Sequence, residues 1–214
     1  MVDAAKIRGT LALILVLMTV LGGLSAVAEN VQTASCTTAL LVIDVQHIWL
    51  RGLLFTVDNV YIRDKVAELL PLARGAGIPV VYIVDVRKRG SVSEAMLGMP
   101  SVIAPQEGDH VSEKTLGNAF SYTDLHDVLQ DLGITRVLIS GLASQSCVSA
   151  TVAGAQIKGY EVVILEDGHS GGQNGKMAEQ QNRIWASQGL DVINSKELDW
   201  IGQCPIGNQD EDNT

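Results

Sequence analysis

Cys147 has the setting most suggestive of chemistry in this chain. It stands a few positions past the apolar run Arg136-Val-Leu-Ile-Ser140, at the start of a helix-period segment over 146–158. A helix N-terminus offers unpaired N–H groups and a partial positive charge, and both favour a thiolate. The same donors can hold the oxyanion formed when a thiolate attacks a carbonyl. Asp44 closes the run Ala39-Leu-Leu-Val-Ile43, and Lys114 follows a weaker run near 110–113. A carboxylate within reach of a thiol can take its proton and later give it to a leaving group. A lysine nearby favours the anionic states. Each residue alone has a plainer role: a buried cysteine packs, an aspartate after a strand caps a helix, and a lysine is a surface charge. Three of them at run ends favour the set base, cation and nucleophile: Asp44, Lys114 and Cys147.

That set exists only if the runs are strands of one sheet. Continuous apolar runs at 39–43, 79–84, 136–140 and 161–165, with a shorter one at 191–194, read as strands buried on both faces. Helix-period segments separate them. Over 58–74, Ile62, Val66, Leu69, Leu70 and Ala73 share one face, with Gly75, Gly77 and Pro79 beyond and Pro71 expected to kink or restart the helix. Leu125, Val128, Leu129 and Leu132 share another, with Thr123 as N-cap and Gly133 past the end. Helices over 146–158 and 175–188 end at Gly159 and Gly189. The polar stretch 86–108, with Gly90, Gly98, Pro100 and Pro105, reads as a long loop carrying function or short helices. Strands alternating with helices imply an α/β fold with a mostly parallel sheet and helices on both faces. Ligands of such sheets bind beyond the carboxyl ends of the strands, where the order reverses.

Composition narrows the function. The chain has 214 residues, 47% hydrophobic and 18% charged, with a net charge of −9. This excludes a largely disordered chain and argues against a nucleic-acid partner, which needs a basic footprint. Lys6 and Arg8, the apolar stretch 11–20 and Ala26-Val-Ala28 have the anatomy of a secretory signal peptide over 1–28. An uncleaved anchor is the alternative, but about ten strongly apolar positions fall short of the ~20 that span a bilayer. Cleavage near Ala28 leaves a periplasmic or secreted protein with one domain over 29–208 and a disordered acidic tail over 209–214. The 3 cysteines are an odd number, so at least one thiol lacks an intramolecular partner. Cys36 precedes the first strand, and Cys204 follows the last by a length that lets the chain return to that end of the sheet. A Cys36–Cys204 disulfide is expected in an oxidising compartment, with Cys147 free.

The pattern Leu41-Val-Ile-Asp44-Val-Gln46, then Glu113-Lys114 with Asn118-Ala119-Phe120, then Gly141 through Cys147-Val148 with Thr151, Ala155 and Gly159-Tyr160 resembles the isochorismatase-like cysteine hydrolase family. Ile164-Leu-Glu-Asp167-Gly-His-Ser170 fits the segment after that family's fifth strand, and the resemblance covers about 38–198. It implies a three-layer α/β fold with a mostly parallel six-stranded sheet in Rossmann-like order. It implies that Asp44, Lys114 and Cys147 are the catalytic triad. It also implies a cis peptide a few residues before the cysteine, placed at Ala143–Ser144, with the Ser144 and Cys147 N–H groups facing an oxyanion. Gln46, Trp49, Phe120 and His169 become substrate-pocket candidates, and a homo-oligomer is expected.

Nicotinamidase-like members bind a metal through Asp-x-His after the second strand, where this chain reads Asp85-Val86-Arg87. His47, His110, His126 and His169 show no ligand spacing, so neither a metal nor another cofactor is expected. Members that cleave a vinyl ether tend to lack the cysteine, so Cys147 favours hydrolysis of an amide, carbamoyl or ureido C–N bond in a small molecule. The alternatives are a vinyl ether hydrolase and an exported, non-catalytic binding protein on the same fold. The glycine-rich stretch 168–176 is not a phosphate loop, because Ser170 and Met177 stand where glycine and serine or threonine are required.

Protein recovered from an exported fraction is expected to begin at Glu29. It should take up one alkyl group, on Cys147, before reduction. Intact mass reads both, and alkylation of all 3 thiols without reductant would exclude the bridge.

Overall fold

The computed structural model describes residues 37–51, 57–171 and 176–202. The expected signal peptide over 1–28, the Cys36–Cys204 pair and the tail over 209–214 lie outside the described residues.

The apolar runs become β1 (Thr38–Ile43), β2 (Val80–Asp85), β3 (His110–Lys114), β4 (Arg136–Leu142), β5 (Glu161–Ser170) and β6 (Asp191–Ile193). They form a six-stranded sheet in the order β3-β2-β1-β4-β5-β6, with every neighbouring pair parallel. The expected mostly parallel sheet is therefore wholly parallel among the described residues, and its order is the Rossmann-like one. The helices are α1 (His47–Arg51), α2 (Val57–Gly75), α3 (Glu94–Leu97), α4 (Leu125–Asp131), α5 (Ser149–Ile157) and α6 (Lys176–Ser187). Among the described residues, no helix is long and apolar enough to cross a membrane.

Alternation along a strand that is apolar throughout builds two cores. Ala39, Leu41 and Ile43 of β1 pack with Val137 and Ile139 of β4, Leu125 and Leu129 of α4, Val152 and Ala155 of α5, and Trp185 of α6. Leu40 and Val42 point the other way, onto Leu50 of α1 and Ile62, Val66, Leu69, Leu70 and Ala73 of α2. Successive strand side chains take opposite faces, so a strand covered on both sides must be apolar at every position.

Four local expectations are corrected. α2 runs through Pro71 as one helix, because Leu69, Leu70 and Ala73 around it are seated in the core. α4 takes Asp124, one residue later than expected, as its N-cap position, but the Asp124 side chain makes no capping bond; the Thr123 hydroxyl donates to the Ala119 carbonyl at 2.5 Å and accepts the Leu125 N–H at 3.4 Å. The third helix-period segment becomes regular α-helix later than 146. A π-helical turn over Ser144–Val148 carries the cysteine, and α5 follows it. The cis peptide lies at Leu142–Ala143, one bond before the expected Ala143–Ser144. β4 holds its pairing with β5 through Leu142, so the chain leaves the sheet only at Ala143.

The order reverses between β1 and β4, which are neighbours although β1 leads to β2 on one side and β4 to β5 on the other. Ile43 stands beside Gly141 there. Gly141 has φ +126°, and a Cβ on it would overlap the carbonyl oxygen of Ile43. Glycine is required on both counts. The β4–β5 register shifts just here, so that Ile139 faces Ile164 but Gly141 faces His169. This bulge brings the end of β5 up to the switch point. Gly141→Ala is expected to cost on the order of 3–4 kcal/mol, through overlap and a backbone that alanine rarely adopts. Urea unfolding measures it, and a loss under about 1 kcal/mol would contradict the close approach of β1 and β4.

Candidate active site

The strand ends meet around one ammonium group. Lys114, the last residue of β3, is 1% exposed. Its Nζ lies 2.8 Å from Asp44 Oδ2, 3.8 Å from Asp85 Oδ2 and 3.5 Å from Cys147 Sγ, and it donates to the Leu116 carbonyl at 3.1 Å. Asp44 follows β1 with φ +55°, a left-handed conformation uncommon outside glycine that aspartate tolerates better than most residues. Asp85 ends β2, and Cys147 sits in the π-helical turn after β4. Four strand ends thus deliver four groups to one point, and the structure brings Asp44, Lys114 and Cys147 together.

Burial and charge set their protonation. Burial pushes Asp44 up to about 6, against the pull of the Lys114 ammonium and with a further push from Asp85. Its Oδ1 is buried and finds no hydrogen-bond partner. Burial also raises Cys147, and the neighbouring Asp44 charge adds to this while Lys114 opposes it. The thiol is therefore protonated when Asp44 is ionised, which is the arrangement of an acceptor beside a donor. Asp85 shows the opposite balance. Burial would raise it, but hydrogen bonds from the Arg87 side chain and backbone outweigh burial, and it is lowered.

Asp85 and Arg87 are what the sequence reading underweighted. Arg87 grips both Asp85 oxygens through its guanidinium and donates its N–H to Oδ1 at 2.9 Å. The guanidinium lies 5.9 Å from the ring centroid of Trp49. The signal was present as an aspartate at a strand end with an arginine two residues on. By distance, Asp44, Asp85 and Cys147 could hold a cation, since their ligand atoms lie within 4.8 Å of one another. The Lys114 ammonium already stands among them and supplies the positive charge the cluster needs.

Two of the pocket candidates have their polar atoms engaged within the protein. Gln46 is fully buried. Its Nε2 donates to the carbonyls of Asp85 (3.1 Å) and Leu97 (2.7 Å), and its Oε1 accepts the Asp85 N–H at 2.9 Å. It clips β2 to α3, with both amide donors and the amide oxygen engaged. His169 is also buried, with Nδ1 2.8 Å from Ser144 Oγ and Nε2 2.7 Å from Asn182 Oδ1. Both ring nitrogens are taken, and the ring stands behind the cysteine turn. Trp49 is half-buried against the α1–α2 core, under Arg87. Phe120 is partly buried and stacks on Tyr160 at 5.6 Å. Among the described residues, Cys147 is the free cysteine.

The raised Asp44 has a measurable consequence. The folded state holds this proton more tightly than the unfolded chain, where the group returns to 3.8. Stability linked to it is fully present below pH 3.8 and is lost as pH rises through about 6. The shift corresponds to on the order of 3 kcal/mol. Asp44→Asn is expected to flatten this part of the profile in urea unfolding between roughly pH 4 and pH 7. A slope as steep as in the unsubstituted protein would show that another group titrates there.

Residues 38–197 match the model of the Isochorismatase domain. The chain is 34% identical over 137 residues to a streptothricin hydrolase of Streptomyces noursei, covering 62% of this chain and 54% of that protein. It spans about half the length of the two streptothricin hydrolases it matches. It is 30% identical over 154 residues to an Arabidopsis thaliana protein named "Probable inactive nicotinamidase", covering 61% of this chain and 79% of that one. Among solved structures, an N-carbamoylsarcosine amidase from Thermoplasma acidophilum superposes with a TM-score of 0.65 at 25% identity, covering 76% of this chain and 99% of that one. A domain match over nearly all the described residues, on a sheet of this order with these groups at its switch point, places the chain in the isochorismatase family.

Proposed function

We propose that the protein is a cysteine hydrolase that cleaves an amide, carbamoyl or ureido C–N bond of a small molecule. The observation that carries this reading is the Lys114 ammonium held 2.8 Å from Asp44 and 3.5 Å from Cys147 in a buried cluster. Relatives named for the hydrolysis of streptothricin and for an amidase activity support the bond class.

Asp44 takes the proton of the Cys147 thiol as Sγ attacks the carbonyl carbon. The oxyanion is met by the backbone N–H groups of Ser144 and Cys147 at the start of the helical segment. The C–N bond breaks as Asp44 returns the proton to nitrogen, and the amine or ammonia leaves. Water then attacks the thioester with Asp44 as base, the acid departs, and Cys147 recovers its proton. Lys114 orients Asp44 and favours each anionic state. In this reading the protein acts outside the cytoplasm as a homo-oligomer and uses neither a metal nor another cofactor.

A binding protein without turnover is the second reading, favoured by the relative named as inactive. One experiment separates the two. Incubation with a panel of amide, carbamoyl and ureido compounds is expected to give turnover that Cys147→Ser lowers at least ~10³-fold, with an acyl adduct on Cys147 in the quenched protein by mass spectrometry. Turnover that survives Cys147→Ser, or none across the panel, would refute the cysteine mechanism.

A further inference from the structure

We propose that His169 is a positioning residue that holds Ser144, and with it the backbone donors of the cysteine turn, in place for the oxyanion. This rests on the cysteine-hydrolase reading and extends it to a residue that touches neither the nucleophile nor the substrate.

The hydrogen bonds have a fixed direction. Asn182 Nδ2 donates to the Glu166 carbonyl at 3.0 Å, which sets the orientation of that amide. Its Oδ1 therefore accepts from His169 Nε2 at 2.7 Å, and Nε2 carries the proton. Nδ1 is left as an acceptor, and the Ser144 hydroxyl donates to it at 2.8 Å. The line runs from α6 through β5 to the first residue of the cysteine turn. The imidazole cannot swing away, because it meets the Trp185 ring edge-on at 5.2 Å in a buried site.

The backbone around it serves the same end. The β4–β5 bulge sets His169 beside Gly141 and Ser170 beside Leu142, two residues before the turn. Gly171 follows, and a Cβ on it would overlap the Gln145 side-chain oxygen and stand 3.1 Å from the Ser144 nitrogen. The end of β5 thus packs closely against the first two residues of the turn, Ser144 and Gln145. An oxyanion donor displaced by even a fraction of an ångström loses much of its effect, so a group that fixes this serine acts on the rate of acyl transfer.

Two reagents separate this role from general support. Acetylation of Cys147 by p-nitrophenyl acetate forms an S–C bond, breaks the ester C–O bond and releases p-nitrophenolate, passing through an oxyanion. Alkylation by iodoacetamide forms an S–C bond and expels iodide with no oxyanion. His169→Gln places its amide near the position of Nε2, keeping Asn182 but not Ser144. His169→Asn places it near Nδ1, keeping Ser144. We expect His169→Gln to slow acetylation about 10- to 100-fold with alkylation within about twofold, and His169→Asn to acetylate within about threefold of the unsubstituted protein. Ser144→Ala should match His169→Gln, and the double variant should lose nothing further. Ser144→Ala also tests the hydroxyl should His169→Gln fail to fold. Equal loss of both reactions, or acetylation at the full rate in both His169→Gln and Ser144→Ala, overturns the proposal. Acetylation that persists in Cys147→Ser, or that never occurs on Cys147, overturns the nucleophile reading itself and the role of His169 with it.

Discussion

The Lys114 ammonium is buried among Asp44, Asp85 and Cys147, and the remainder of the site follows from keeping it charged there. An ammonium taken out of water is costly unless close opposite charges and hydrogen-bond acceptors surround it. Asp44 and the Leu116 carbonyl meet that need directly, and Asp85 does so from 3.8 Å. Asp85 must then be held ionised, and Arg87 does this. Gln46 fixes the Asp85 backbone from below. Residues that would otherwise read as a surface arginine and a polar pocket lining are parts of one electrostatic support.

The support works because the sheet places its ends together. Two strands adjacent in space but distant in sequence, β1 and β4, deliver base and nucleophile. Their approach depends on Gly141, where any side chain would overlap Ile43. The bulge beyond it lets β5 reach the same point and bring His169 against Ser144. The acceptor, the thiol and the turn behind the thiol are therefore set by backbone packing, and little side-chain adjustment remains for the moment of reaction.

Much of this was legible in residue types. Runs apolar at every position declared strands covered on both faces, and Ile62, Val66, Leu69, Leu70 and Ala73 declared the helix that covers one of them. Asp44, Lys114 and Cys147 stood at run ends, and a parallel sheet sends all such ends to one side. Pattern alone misjudged places where the chain departs from regular periodicity. Those were the extension of β4 through Leu142, the extension of β5 through Ser170 and the π-helical turn before α5. A bulge leaves no periodic signature, and these three irregularities cluster at the switch point.

The sequence by itself determined the fold class, the strand and helix identities and the residues able to do chemistry, because these depend on local hydrophobic pattern and on functional-group type. Tertiary structure alone decided which polar residues face each other. Gln46 and His169 looked like ligand contacts, and each proved to have every polar atom committed to partners between 13 and 51 positions away. Asp85 and Arg87 joined the site because β2 ends beside β1 and β3, a neighbour relation that no local pattern encodes. Hydrogen-bond capacity is a property of a residue. Whether any of it remains for a ligand depends on the groups that folding brings within about 3 Å.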